Sequence, residues 1–254
     1  MFSFFKKSVV SQPDTALAPD FGMLGTEKQQ KLVDCTHKLD AILQKKNLHQ
    51  TTARVVFVLD HSGSMRPLYQ DGTVQNTLER IFPVALRFDD NGEMQFYLFD
   101  TVYQELDPVS LQNLEGYTEN VILKKMGKYG QTRYAPAMNA ILHRYAQKEP
   151  SQIPTFVIFI TDGDNSDKAA AKQSLIAASK HNIFWKFIGI GKESFPFLEK
   201  LDDLDGRYVD NANYISIPDL NTMKEDALYE CLMEEYDSWR KSAKRAGIAI
   251  SSKS

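Results

Sequence analysis

The chain has 254 residues, 43% of them hydrophobic and 25% charged, which suits one large α/β domain and leaves little room for a second. A formal net charge of −3, with no basic stripe interleaved with aromatics, excludes a general attraction to nucleic-acid backbones. Cys35 and Cys231, its only cysteines, stand too far apart in sequence for a CxxC metal site or a disulfide framework.

The opening Met1-Phe2-Ser3-Phe4-Phe5-Lys6-Lys7 is apolar and then basic, the reverse of a signal peptide. No run of about eighteen apolar residues follows. We therefore expect a cytoplasmic protein in a reducing compartment, without stable membrane insertion. Residues 1–25, with Pro13, Pro19, Gly22 and Gly25, read as a flexible lead-in. Residues 26–50 form an N-terminal helical extension, with Leu32, Val33, Leu39, Ile42 and Leu43 at helical spacing and Thr26 as its N-cap.

Residues 55–59, Val-Val-Phe-Val-Leu, are continuously apolar and rich in β-branched side chains. That pattern predicts a parallel strand buried on both faces, ending at Asp60-His61-Ser62-Gly63-Ser64. A helix is expected over 73–88, kinked or cut short at Pro83. Asp89-Asp90-Asn91-Gly92 is a solvated turn before a second strand at 94–99. Asp100, at the end of that strand, is weighed as an auxiliary site residue, and 102–106 alternates like a short antiparallel edge strand. Helical pieces over 111–125 precede the loop that carries Thr132, and an amphipathic helix over 134–148 follows.

A second buried run at 156–161 leads into Asp162-Gly163-Asp164, and Asp167 is expected to N-cap a helix over 168–181. The remainder is a strand at 183–190, a short helix at 195–201, a last strand at 214–217, one closing helix over 219–244 and a basic, solvated tail at 241–254. Gly189-Ile190-Gly191-Lys192 lacks the spacing of a phosphate loop, and 162–167 lacks that of a calcium EF-hand. Alternating strands and helices give an α/β, doubly wound, Rossmann-like sheet with helices on both faces.

If the two apolar runs lie parallel in one sheet, Asp60 and Asp162 emerge on the same rim, where ligands of open α/β sheets bind. Two carboxylates held together there repel each other unless they share a proton or a cation. Ser62 and Ser64 favour the cation, because hydroxyl oxygens coordinate hard divalent ions. Without a thiolate or imidazole cluster, zinc is not expected.

Asp60, Ser62 and Ser64 as Asp-x-Ser-x-Ser, Thr132 in the Gly130-Gln131-Thr132 loop, and Thr161-Asp162-Gly163, in that order, resemble the metal-ion-dependent adhesion site (MIDAS) of the von Willebrand factor type A (VWA) family. The likeness covers roughly residues 51–240. It implies a six-stranded, mainly parallel sheet of order 3-2-1-4-5-6 with strand 3 antiparallel. It further implies that Ser62, Ser64 and Thr132 hold Mg2+ (or Mn2+/Ca2+) directly, with Asp60 and Asp162 acting partly through water. The remaining coordination position would take an acidic side chain from a protein partner, an event that can be coupled to movement of the last helix. Gln131 stands where the family often has a second glycine. The turn at 89–92 and the stretch Gly206-Arg207-Tyr208-Val209-Asp210-Asn211-Ala212 are most similar to the bacterial tellurium-resistance TerF-like and copine-type branch, which implies a stress or tellurite-resistance setting.

The resemblance implies a binding module and not an enzyme. Two alternatives stand beside it. A magnesium-dependent phosphatase or hydrolase could use Asp60 as nucleophile, but Ser62 occupies the place where such enzymes need a second aspartate, and His61, the nearest base, is expected to point outward from its loop. A structural subunit could use the metal only to stiffen its loops.

Overall fold

The computed structural model describes residues 25–125 and 127–248. In chain order, α1 (Thr26–Lys45) precedes β1 (Arg54–Asp60), and α2 (Arg66–Gln70) and α3 (Thr73–Phe88) lead to the hairpin of β2 (Met94–Phe99) and β3 (Tyr103–Val109). After α4 (Leu123–Lys125) and α5 (Ala135–Leu142) come β4 (Thr155–Thr161), α6 (Lys168–Ala178), β5 (Ile183–Ile190), α7 (Pro196–Asp202) and β6 (Ala212–Ile217). The described chain closes with α8 (Glu225–Leu232) and α9 (Tyr236–Arg245).

The sheet has the order β3-β2-β1-β4-β5-β6, with β3 antiparallel to β2 and every other pair parallel. Both the order and the antiparallel edge agree with expectation. The continuous apolar run of β1 is divided between two cores. Val55, Phe57 and Leu59 pack with residues of α1, α3, α8 and α9, whereas Val56 and Val58 pack with those of α5, α6 and α7. A strand covered on both faces has no polar face to alternate with, hence its composition. In the register of β1 on β4, Leu59 lies opposite Ile160, so Asp60 and Thr161 leave the sheet side by side.

Four elements depart from the sequence-based expectation. The helix α3 runs unbroken through Pro83. A proline in a helix interior costs about 3 kcal/mol, but the fully buried Ile81, Phe82 and Val84 around it each recover roughly 1.5–3 kcal/mol by burial. The expected closing helix is two helices, broken at Glu235, whose φ is +62°. Buried Lys186 of β5 donates to the carbonyls of Cys231 (2.8 Å) and Glu234 (3.0 Å) and to Asn213 Oδ1, ending α8 with a cation at its negative pole. The change of direction lets Tyr236 and Trp239 pack on Phe184. Residues 241–245, expected as tail, belong to α9, with Ala243 buried. The helix expected over 134–148 is α-helical only as far as Leu142 and continues as a wider-turned segment, His143–Lys148.

The extension is α1, which buries Leu32, Cys35, Leu39, Ile42 and Leu43 in the core shared with α3 and α8. The proposed lead-in, apart from Gly25, and the end of the proposed tail lie outside the described residues.

Candidate metal centre

Three loops meet at the carboxyl ends of β1 and β4. Asp60 is fully buried. Its Oδ1 accepts the Ser62 amide (2.6 Å) and its Oδ2 accepts the Thr161 hydroxyl (2.6 Å), while its carbonyl accepts the Tyr69 hydroxyl (2.8 Å). Ser62 Oγ lies 3.1 Å from Ser64 Oγ, which donates to Asp162 Oδ1 at 2.7 Å. Three predicted ligands, Ser62, Ser64 and Asp162, thus form one continuous chain of oxygens, and Asp60 is clamped behind it.

Thr132 arrives on the third loop. Ser62 and Gly130 form a parallel β-bridge. A Cβ at Gly130 would stand 2.7 Å from Asp100 Cγ and 2.8 Å from Thr101 Oγ1, so only glycine allows this approach. The Gln131 amide donates to Thr101 Oγ1 (3.0 Å), and the Arg133 amide to the Asp100 carbonyl (2.9 Å). Gln131 is exposed, so its side chain meets no obstacle in this loop. On the other side, the Thr132 carbonyl accepts the Ser166 amide (3.0 Å) and hydroxyl (3.2 Å). Among the described residues the Thr132 hydroxyl does not join the chain of oxygens formed by Ser62, Ser64 and Asp162.

Two contributions were not foreseen. Thr161 was expected only as part of a motif, yet its hydroxyl fixes Asp60. Asp167 takes the N-cap position of α6 as expected, but its side chain makes no capping hydrogen bond there. Its carboxylate instead accepts the amides of Tyr134 (3.0 Å) and Ala135 (2.9 Å) at the start of α5, tying the Thr132 loop to the Asp162 loop. The carboxylate finds better donors across space than in its own first turn, because those α5 amides have no intrahelical partner. His61 also departs from expectation. It is 5% exposed, stacked on Tyr129 with ring centroids 4.6 Å apart, and its Nδ1 is 3.5 Å from Asp100 Oδ2. Asp100 thus supports the site through His61 and the Gly130–Arg133 loop.

Burial pushes the Asp60 carboxyl up to about 6, against the pull of hydrogen bonds from Thr161 and Ser62, and nearby Asp162 adds to the rise. Asp162 is raised as well, chiefly by burial. Burial lowers the His61 imidazole, with Asp100 opposing. Among the described residues no three His, Cys, Asp or Glu side chains converge to hold a metal. Any ion here must therefore use hydroxyls. Adjacent ligands of an octahedral ion at about 2.1 Å are roughly 3.0 Å apart, and the separations of 3.1 and 2.7 Å along Ser62, Ser64 and Asp162 match that spacing. A divalent cation would also favour the charged forms of the two aspartates that burial disfavours.

Comparison with known proteins identifies the family and the fold. Residues 52–249 match the model of the vWA-TerF-like family, described as the vWA found in the TerF C terminus. The chain is 44% identical over 209 residues to uncharacterized protein YcbR of Bacillus subtilis, covering 82% of this chain and 85% of YcbR. Among solved structures, manganese-loaded TRAP protein of Plasmodium vivax superposes with a TM-score of 0.53 at 21% identity, covering 73% of each chain. Proximal thread matrix protein 1 of the mussel byssus, with a zinc-occupied MIDAS motif, gives 0.53 at 16% identity, covering 75% of this chain and 50% of that one. These two likenesses show the fold. By sheet order and family match, the chain belongs to the VWA family, in its TerF-like branch.

Proposed function

We propose that the protein is a divalent-metal-dependent protein-binding module. The ion, Mg2+ (or Mn2+/Ca2+), is held directly by Ser62, Ser64 and Thr132, and partly through water by Asp60 and Asp162. Bound there, it supplies a Lewis-acidic position that a Glu or Asp carboxylate of a partner protein completes. The observation that carries this reading is the continuous chain of hydroxyl and carboxylate oxygens at ligand-to-ligand spacing on the sheet's rim. Two aspartates balance the charge of a divalent ion while neutral hydroxyls leave it electrophilic. The metals in the TRAP and byssus proteins support a divalent ion as a class. As part of the same proposal, we infer a bacterial stress or tellurite-resistance setting in the cytoplasm, in keeping with the sequence-based expectation. No helix among the described residues is long and apolar enough to cross a membrane.

The hydrolase reading has little support here, because His61 is packed beneath Tyr129 and turned to Asp100.

The test is thermal unfolding with EDTA and with magnesium. At a hundredfold excess over Kd, a ligand of the native state adds about 2.7 kcal/mol, which for a chain of this size is roughly 5–10 °C. We expect that rise in wild type and its absence in Asp162→Ala and Asp60→Ala. A wild-type curve indifferent to EDTA and magnesium would sink the proposal. Partner capture that persists in EDTA and in Thr132→Ala would instead favour a structural subunit.

A further inference from the structure

Two loops of the candidate metal centre run side by side. Ser62 and Gly130 form a parallel β-bridge, and one step earlier the His61 ring is stacked on Tyr129. Three cationic residues bracket the paired loops. Lys128 precedes Tyr129, Arg133 follows Thr132, and Arg66 comes shortly after Ser64. All three are exposed, and among the described residues none of their side chains has a hydrogen-bond or ion-pair partner. Lys128 also lines a cleft together with His61 and Asp100, which places it at the edge of the centre.

Most carboxylates nearby are engaged within the protein. Asp100 accepts the Val102 amide (3.0 Å) and lies 3.5 Å from His61. Asp164 pairs with Lys168 and accepts the Asn165 amide (3.0 Å), and Asp167 holds the amides that open α5. Glu193 is the exception, lining a small cavity with Asp162 on the β5 side. The rim thus offers unpaired positive charge beside the Thr132 loop and negative charge beside β5. In a chain of net charge −3 this pattern is local and does not follow the sign of the whole molecule. A patch of this kind selects opposite charge in a partner, through encounter rate and through register.

We propose that the partner carries its metal-binding carboxylate within a short acidic segment, whose flanking carboxylates are taken by Arg66, Lys128 and Arg133. This rests on the metal-dependent reading above and adds the chemistry of the partner around its coordinating residue. A short acidic segment fits the one-sided pattern, whereas the uniform charge of a nucleic-acid backbone would run on over Asp162, Asp164 and Glu193. Exposed ion pairs are individually weak, each worth about 1.5- to fivefold in affinity. The ion is therefore the anchor, and the three cations choose among the carboxylates that could reach it.

The experiment is a titration of the isotope-labelled full chain with two acetylated, amidated pentapeptides, in magnesium and in EDTA, followed by amide NMR. One has a central aspartate among glycines, and in the other glutamates replace the glycines. In magnesium and about 20 mM salt, the glutamate peptide should bind roughly tenfold more tightly, and about 0.3 M salt should shrink that preference to about twofold. Combined Arg66→Gln, Lys128→Gln and Arg133→Gln should erase the preference and leave the glycine peptide within about twofold of wild type, while Lys244→Glu, on α9, should change neither. Equal affinities of the two peptides for wild type, or a preference that survives the triple change, would overturn the proposal. Should the triple variant not fold, Lys128→Glu and Arg133→Glu decide singly, each expected to weaken the glutamate peptide about three- to tenfold. Displacement of that peptide by a single-stranded oligonucleotide at equal charge would overturn the proposal in favour of a nucleic-acid ligand. If the glutamate peptide binds equally well in EDTA and still responds to the cation variants, the metal reading fails and the basic rim stands. If both peptides need magnesium and bind alike, the rim proposal fails alone.

Discussion

Asp60 carries the sharpest consequence of the site's chemistry. Its folded carboxyl is pushed from 3.8 to about 6, chiefly by burial. Between those values the native state holds a proton that the unfolded chain has released, so metal-free stability falls as pH rises from about 4 to 6 and is flat for this group above that. The change is on the order of 3 kcal/mol. Chemical denaturation in EDTA at pH 4 and pH 7 should show this fall in wild type and a smaller one in Asp60→Asn. Asp202, also raised to about 6 mainly by burial, contributes with the same sign and remains in that variant. Saturating magnesium should cancel the Asp60 share, and an equal pH slope in wild type and Asp60→Asn would refute the assignment. At this scale, Asp60, Ser62, Ser64 and Asp162 were legible because each sits in a short motif directly after an apolar strand. The roles of Thr161 and Asp167 were not. Thr161 bonds a residue 101 positions away, and Asp167 bonds amides 33 and 32 positions away.

Among the elements, α1 shows how burial and surface charge divide the work. It is tied to α8 by Lys38–Glu225 at 3.2 Å and Lys46–Glu230 at 3.1 Å, and it inserts Leu39, fully buried, into the core. Partly exposed ion pairs contribute about 0–1 kcal/mol, whereas a buried leucine truncated to alanine costs about 2–5 kcal/mol. Leu39→Ala should therefore lower stability by that larger amount in urea unfolding, and Lys38→Ala by less than about 1 kcal/mol. Comparable losses would mean that charge holds α1. The helical spacing of Leu32, Leu39, Ile42 and Leu43 identified this helix from sequence, but not the surface it covers. The division of the closing segment at Glu235 was hidden for a similar reason: the cation that ends α8 comes from Lys186, on a strand far back in the chain.

Over the whole molecule, α1 precedes the family-matched region, 52–249, yet shares one continuous core with it. We expect hydrogen exchange of the Leu39, Ile42 and Leu43 amides to report the same opening free energy as the Phe57 and Ile158 amides of the central strands. Faster exchange throughout α1, with the strands still protected, would make it an independent appendage. Periodicity and strand-end motifs were enough to identify the doubly wound class, the buried centre of the sheet and the aspartates at its rim, because local composition records burial on one face or on both. Recognition of the motif's resemblance supplied the strand order, which no local pattern encodes. Tertiary structure alone decided the contacts between distant loops: the Asp167 carboxylate on α5, the Asp100–Thr101 ledge under the Thr132 loop, the inward turn of His61 and the end of α8 at Lys186. Those contacts depend on which donors and acceptors folding brings within about 3 Å, and separation along a chain does not specify separation in space.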